Sequence, residues 1–334
     1  MGRLSRRELM AGAAGLAAGT AFSKLALAQG KEKVTILTPF TFLIGFAELL
    51  YPVSAGFYAE QGLDATVLPA AGSAAAVTQV LAGQAQFCRT GAIDLMTAAV
   101  ARNAPLVAIA TIAQASTIWM ISPAKAPINS PADFKGKTIG IISKAGLAEN
   151  LLDMMLAGAK IDPKSVPREA VGNAPGAYSL IEQGRIAGYL ASTSTMLALK
   201  AAGTPIVAWN TDDFAKVPGQ VLIASRETVE KRPELCQKFL NAVNMAVKEL
   251  MDHSKIEAAI AKMKPLEISD AKDPVAAKAA LLAEETTWSP GGVKPLTNMP
   301  ERFAVCRDLM VAANLLPQGA TDQVFTNQFV DKLS

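Results

Sequence analysis

Hydrophobic positions along this chain come in short bursts that switch between two periods. Lys33-Val34-Thr35-Ile36-Leu37 alternates and is β-branched, which predicts a strand. A helical stretch follows through Glu48-Leu49-Leu50 to Phe57-Tyr58, and Gln61-Gly62-Leu63 turns the chain into a second strand, Thr66-Val67-Leu68. The same reading predicts helix over 74–81, strand at Gln86-Phe87-Cys88, helix over 93–101 and strand over 106–112. The pattern restarts after Ser130-Pro131-Ala132-Asp133-Phe134-Lys135-Gly136-Lys137. Strands are predicted at 138–142, 166–171, 187–190 and 206–209, with helices at 147–157, 177–182 and 196–201 between them. Beyond Val221-Leu222-Ile223 the period becomes helical, over 227–252, 256–263, 274–286 and 302–312. Alternating strands and helices imply α/β architecture with parallel sheets covered on both faces.

The first 28 residues stand apart from this pattern. Arg6-Arg7 precede an apolar run, Leu9 to Phe22, that ends near Ala26-Leu27-Ala28, a small-x-small site suited to a signal peptidase. The expectation is a cleaved export signal over 1–28 and a soluble periplasmic product. The arginine pair points to the Tat route, with Sec left open because such pairs occur there too. Removing the leader takes away Arg3, Arg6, Arg7, Lys24 and Glu8 and leaves equal numbers of acidic and basic residues. The formal net charge of +3 therefore belongs to the leader, and no basic excess suggests nucleic acid as a partner. Hydrophobic residues make up 51% of the chain, but no later segment has the roughly 18 unbroken apolar residues of a membrane span.

Catalytic and metal-binding types are sparse. The one histidine, His253, sits in a helical run, and no G-x-S-x-G elbow or phosphate loop is present. The three cysteines, Cys88, Cys236 and Cys306, lack close ligand spacing, so neither a metal nor a cofactor is expected. Cys236 and Cys306 can pair only if their helices adjoin; buried small hydrophobes is the default for all three.

The order of elements resembles the substrate-binding proteins of ABC transporters, in the group for sulfonate, taurine and nitrate that also includes thiamine-precursor-synthesis-like members. The residues carrying it are Gly56-Phe57-Tyr58-Ala59-Glu60-Gln61-Gly62-Leu63-Asp64, Gly83-Gln84-Ala85-Gln86-Phe87, and Ser130 to Gly140. The resemblance implies a bilobed periplasmic-binding-protein fold of type II, with two doubly wound lobes joined by two hinge crossovers. Lobe 1 is expected over 31–120 plus 224–334 and lobe 2 over 121–223, with crossovers near Thr117–Ser122 and Gln220–Ser225. The chain departs from its relatives where Gln86 and Ala187 stand in place of a common Asp.

Ligands of open α/β sheets bind outside the carboxyl ends of the strands, which selects the loops after each strand. From the first lobe these supply Phe40, Thr41 and Phe42 as apolar or stacking surface, Ser73 at a helix start, and Arg89-Thr90. Arg89 is the expected grip for a carboxylate or sulfonate, against the alternative of an ion pair with Asp94. Gln114 and Ser116 are placed on the cleft floor, and Ser143, Lys144, Asn173, Tyr178 and Thr193 in the second lobe. The implied function is capture of a small organic anion and delivery, as a monomer, to membrane permease subunits of an ABC importer. An enzyme of the thiamine-pyrimidine-precursor type and a ligand-sensing partner of a receptor are the alternatives.

Overall fold

The computed structural model describes residues 30–334 except Ala145. The expected export signal lies outside them. Among the described residues, ten strands form two five-stranded sheets. The first contains β1 (Glu32–Thr38), β2 (Leu63–Pro69), β3 (Phe87–Gly91), β4 (Leu106–Ala113) and β10 (Gln220–Ser225), in the order β2-β1-β3-β10-β4. The second contains β5 (Ile118–Pro123), β6 (Ile139–Ile141), β7 (Arg168–Ala170), β8 (Gly188–Ser192) and β9 (Ile206–Asn210), in the equivalent order β7-β6-β8-β5-β9. The restart of the hydrophobic pattern thus marks a second copy of one α/β architecture.

The sheets are not wholly parallel. β10 runs antiparallel to β3 and β4, and β5 antiparallel to β8 and β9. The reason lies in the crossovers. A strand that ends at the cleft and passes directly into the other lobe enters the second sheet at its cleft end and must run away from it. The segments expected as crossovers, Thr117–Ser122 and Gln220–Ser225, are largely these entering strands. The passages themselves come earlier in the chain, at 114–117 and 211–219. So residues 118–120, assigned to lobe 1 by sequence, pair in the second sheet, and 220–223, assigned to lobe 2, pair in the first.

The passages touch backbone to backbone at Gly219. Its N–H donates to Ala113 O (2.9 Å), and a Cβ placed on it would lie 2.5 Å from Ala115 O. Gly219→Ala is therefore expected to force the two passages apart and cost about 1–3 kcal/mol, the range for overpacking a tight site. Urea unfolding measures it, and a change below about 0.5 kcal/mol, the ordinary scatter of surface substitutions, would refute the close approach.

Helices cover both faces of each sheet. In chain order they are α1 (Ala47–Ala55), α2 (Phe57–Glu60), α3 (Ser73–Leu81), α4 (Ala92–Met96), α5 (Leu147–Gly158), α6 (Ser179–Glu182), α7 (Thr193–Ala201), α8 (Arg226–Lys231), α9 (Pro233–Met251), α10 (Ile256–Met263), α11 (Pro274–Glu285) and α12 (Pro300–Ala312). The helix expected over 227–252 is divided between α8 and α9 at Arg232-Pro233, because proline lacks the N–H that would continue the ladder. α9 buries Leu235, Phe239, Val243, Ala246 and Leu250 along one stripe against the first sheet and α1. On the other face, α12 joins the first-lobe core to α5 of the second lobe, bringing Phe303, Cys306 and Met310 together with Leu151 and Met155. Edge strand β4 is buried at all of its positions. The chain end covers it: Thr326 N donates to Ala108 O (2.9 Å) and Thr111 N to Leu296 O (3.0 Å). That pairing removes an open sheet edge. No helix among the described residues is long and apolar enough to cross a membrane.

Candidate functional site

The carboxyl ends of β1, β3 and β4 meet on the cleft side of the first lobe. After β1, Thr38 Oγ1 donates to Phe40 O (2.7 Å) and Gly72 N to Pro39 O (2.8 Å). Gly72 takes φ 115°, a backbone state open chiefly to glycine, and starts α3 beside that loop. The Phe40 ring is left 52% exposed and Thr41 is exposed, whereas Phe42 packs partly against the core. Ser73 is partly buried, and its hydroxyl and the Gly91 N–H both favour the ionised form of the Asp94 carboxyl. Burial nevertheless raises the Asp94 carboxyl above the ordinary carboxylate range.

Arg89 is not open to the cleft as a free cation. It is 3% exposed, and its Nη1 donates to Glu48 Oε1 (3.0 Å), Glu48 Oε2 (3.2 Å) and Gly45 O. Nη2 lies 3.8 Å from Glu284 Oε2, and the guanidinium stands 4.9 Å from the Phe46 ring centre. The expected partner, Asp94, is replaced by Glu48 from α1 and Glu284 from α11. Sequence could not reveal this, since these residues meet only when α1 and α11 close over the end of β3. Desolvation raises the Glu48 carboxyl despite Arg89 beside it; it also raises Glu284 against a weaker pull from Arg89, and repulsion from Glu48 and Asp270 adds to that rise.

Thr90 and Gln114 are fully buried. Gln114 Nε2 donates to Thr297 O (2.8 Å), and its backbone N–H to Thr287 O (2.7 Å), which ties the end of β4 to the turn after α11. Thr90 Oγ1, Gln114 Oε1, Arg89 Nε and Trp288 Nε1 are buried without partners, as is Glu284 Oε2 apart from its long ion pair with Arg89. Ser116 lies in the first passage. Its Oγ accepts from Ile118 N (3.1 Å) and from Thr211 Oγ1 (2.7 Å) of the second passage, and its carbonyl accepts from Asn210 Nδ2 (2.9 Å). Arg302 of α12 adds a two-pronged bond to Asp212, at 2.6 and 3.0 Å, so the hinge region is cross-braced.

In the second lobe, Asn173 follows β7 and is exposed, yet its amide is held. Oδ1 accepts from Ser192 N (2.9 Å) and Nδ2 donates to Ser192 Oγ (2.9 Å), joining the loop after β7 to the start of α7. Thr193 accepts from Trp119 Nε1 (3.1 Å) and donates to Thr117 O (3.2 Å). Ser143 and Lys144 are exposed after β6. Tyr178 packs on the second-lobe core, with its hydroxyl reaching Pro205 O at 3.5 Å. Helices α7 and α11 touch, so the two lobes meet beside this region.

The family described as NMT1/THI5 like matches residues 44–256, well over half of the chain. The chain belongs to the NMT1/THI5-like family. No curated protein matches it. Among solved structures, this NMT1/THI5-like chain resembles the putative sulfonate ABC transporter periplasmic sulfonate-binding protein SsuA from Methylobacillus flagellatus KT. The match has 17% identity and a TM-score of 0.68, over 91% of this chain and 94% of that one. The periplasmic aliphatic sulphonate binding protein SsuA from Escherichia coli matches at 18% identity and TM-score 0.67, over 88% and 92%. The desulfurization enzyme DSZB matches at 15% identity and TM-score 0.59, over 90% and 98%. At these identities the likeness establishes the periplasmic-binding-protein fold.

Within that fold the NMT1/THI5-like chain keeps its cysteines out of reach. All three are free and buried, and Cys236 and Cys306 belong to different core clusters, so they do not pair. Burial pushes both of those thiols up to about 12. His253 is exposed and bonds Glu285 (2.7 Å). Sequence reasoning missed Glu48, Glu284, Trp119 and Trp288. The only available signal was an acidic residue in each of two otherwise apolar helical stripes, at Glu48 and Glu284.

Proposed function

We propose that this protein is the solute-binding component of an ABC importer. It captures a small organic molecule between the lobes outside the cytoplasmic membrane and presents the closed form to permease subunits. The observation carrying this reading is the pair of equivalently ordered sheets whose strand ends face one cleft and are joined by two short, braced passages. Hinge closure of this kind needs only a few residues to absorb the dihedral change. The candidate contacts are Phe40, Thr41 and Ser73 from the first lobe, with Thr90 and Gln114 below. From the second come Ser143, Lys144, Asn173 and Thr193, with Trp119 beside Thr193. Ser116 and Arg302 shape the hinge. Phe42 and Tyr178 contribute support, since both pack on their lobe cores. The reason for expecting an anion weakens, because the Arg89 fork is engaged by Glu48 and Gly45. The proposal therefore does not require a charged ligand.

The test is a thermal-shift screen of the purified chain from residue 29, followed by uptake measurements in a strain lacking the gene. A ligand at about 100 times its Kd is expected to add about 2.7 kcal/mol of stability, and its uptake should fall in the deletion strain. A broad panel without one stabilising compound, together with unchanged uptake, would defeat the reading.

A further inference from the structure

Helix α12 is anchored to both lobes at once. Its Leu309 packs against α5 of the second lobe, where a Cβ on Gly158 would lie 3.2 Å from Leu309 Cδ2. Its Phe303 ring stacks on Phe325 at 4.5 Å, and Phe325 bridges to Ala108 of β4 in the first sheet. Phe303, Cys306 and Met310 are fully buried in a core that runs from Cys88 and Met96 of the first lobe to Leu151 and Met155 of the second. A helix held by both lobes has to lie near their axis of rotation. Displacement grows with distance from that axis, and close-packed contacts far from it would be torn as the lobes turn.

From this position α12 sends Arg302 into the second passage. Nη1 donates to Asp212 Oδ1 (2.6 Å) and Val217 O (3.2 Å), and Nη2 to Asp212 Oδ2 (3.0 Å). Asp212 lies just past β9 of the second sheet, and Val217 just before β10 of the first. One planar guanidinium therefore grips the passage at both ends. Asp212 Oδ1 also accepts from Ser116 N of the first passage (3.4 Å). The pair is mostly buried, at 12% and 17% exposure, so salt screens it little. Opening the lobes changes dihedrals inside 211–219, and the two ends then turn relative to each other. A rigid fork cannot keep all three bonds through that turn. The lobes touch here at α7 and α11, so these bonds belong to the closed setting.

We infer that α12 lies along the pivot of the two lobes, and that Arg302 is a positioning residue for capture, holding the second passage in its closed setting. This rests on the hinge closure of the capture reading and adds what sets its equilibrium.

The experiment reads the lobe separation without ligand, by pulsed electron paramagnetic resonance on the purified chain. Spin labels are placed through Lys200→Cys on α7 and Ala279→Cys on α11, both exposed. The three native thiols are buried and leave the introduced pair to react. Arg302→Ala should raise the ratio of separated to touching lobes about tenfold, the effect of losing charge-assisted hydrogen bonds present in one state only. Asp212→Ala should do the same, and the double variant should add little, because the two act as one unit. Arg302→Lys keeps one charge without the fork and should raise the ratio less. Arg307→Ala is the control, since Arg307 pairs on the same helix with Asp322 (2.7 Å) away from the passage; its ratio should not move. If the alanine variants do not fold, Arg302→Lys and Asp212→Asn provide the comparison, each with a raised ratio expected. An unchanged ratio in the Arg302 and Asp212 variants, or an equal rise in Arg307→Ala, overturns the inference. Capture is judged separately, by the ligand screen and uptake, so the two failures are distinct results.

Discussion

Glu48→Ala is expected to destabilise the folded chain by about 3–5 kcal/mol, the cost of leaving one partner of a buried ion pair behind. Glu48 is completely buried in the first turn of α1 and accepts two bonds from Arg89 Nη1, at 3.0 and 3.2 Å. Without it, that side of the guanidinium keeps only Gly45 O, and the remaining carboxylate, Glu284, is 3.8 Å from Nη2. Desolvation already pulls the Glu48 carboxyl upward against the attraction of Arg89, so the intact pair contributes little net stability. The large loss comes from stranding the cation. Urea unfolding should show a lower midpoint with an unchanged slope, since the surface exposed on unfolding is the same. Glu48→Gln keeps an acceptor for Arg89 and should lose less. A loss below about 1 kcal/mol for the alanine variant would mean that Arg89 finds water or a new partner once Glu48 is gone.

Phe239→Ala should cost a similar amount, about 3–5 kcal/mol, for a different reason. Phe239 is fully buried on α9, its ring parallel to Phe87 of β3 at 4.1 Å and to Tyr58 of α2 at 6.3 Å. Alanine would leave a cavity between helix and sheet that the flanking Leu235, Leu240 and Val243 cannot fill without moving the backbone. Phe87 is two residues before Arg89, so the damage reaches the site. The measurement is again denaturant unfolding. Leu and Met at this position should recover part of the loss by restoring volume. If they restore none, ring stacking rather than volume holds α9 to the sheet.

Much of the fold was legible because local patterns carried it. β-branched runs such as Val34-Thr35-Ile36 and the helical stripe of Leu235, Phe239, Val243 and Leu250 are short-range signals. The restart at Ser130 announced the second lobe for the same reason. The entering strands β5 and β10 were misread because their immediate neighbours say only that they are extended and apolar. Their direction and sheet are consequences of where the preceding strand ends. Arg89 was read as an anion grip, with an ion pair to Asp94 as the alternative, whereas its partners in the structure are Glu48 and Glu284. Asp94 is near in sequence, whereas Glu48 and Glu284 come from helices far along the chain.

The sequence by itself determined the α/β class, the doubling into two lobes and the strand ends as the place to search. These depend on local composition and period. The tertiary structure alone decided which charges meet there. A guanidinium that reads as an anion grip in sequence becomes the neutralised centre of a cluster once two carboxylates close on it, because charge in a buried site depends on through-space neighbours and desolvation rather than on residue order.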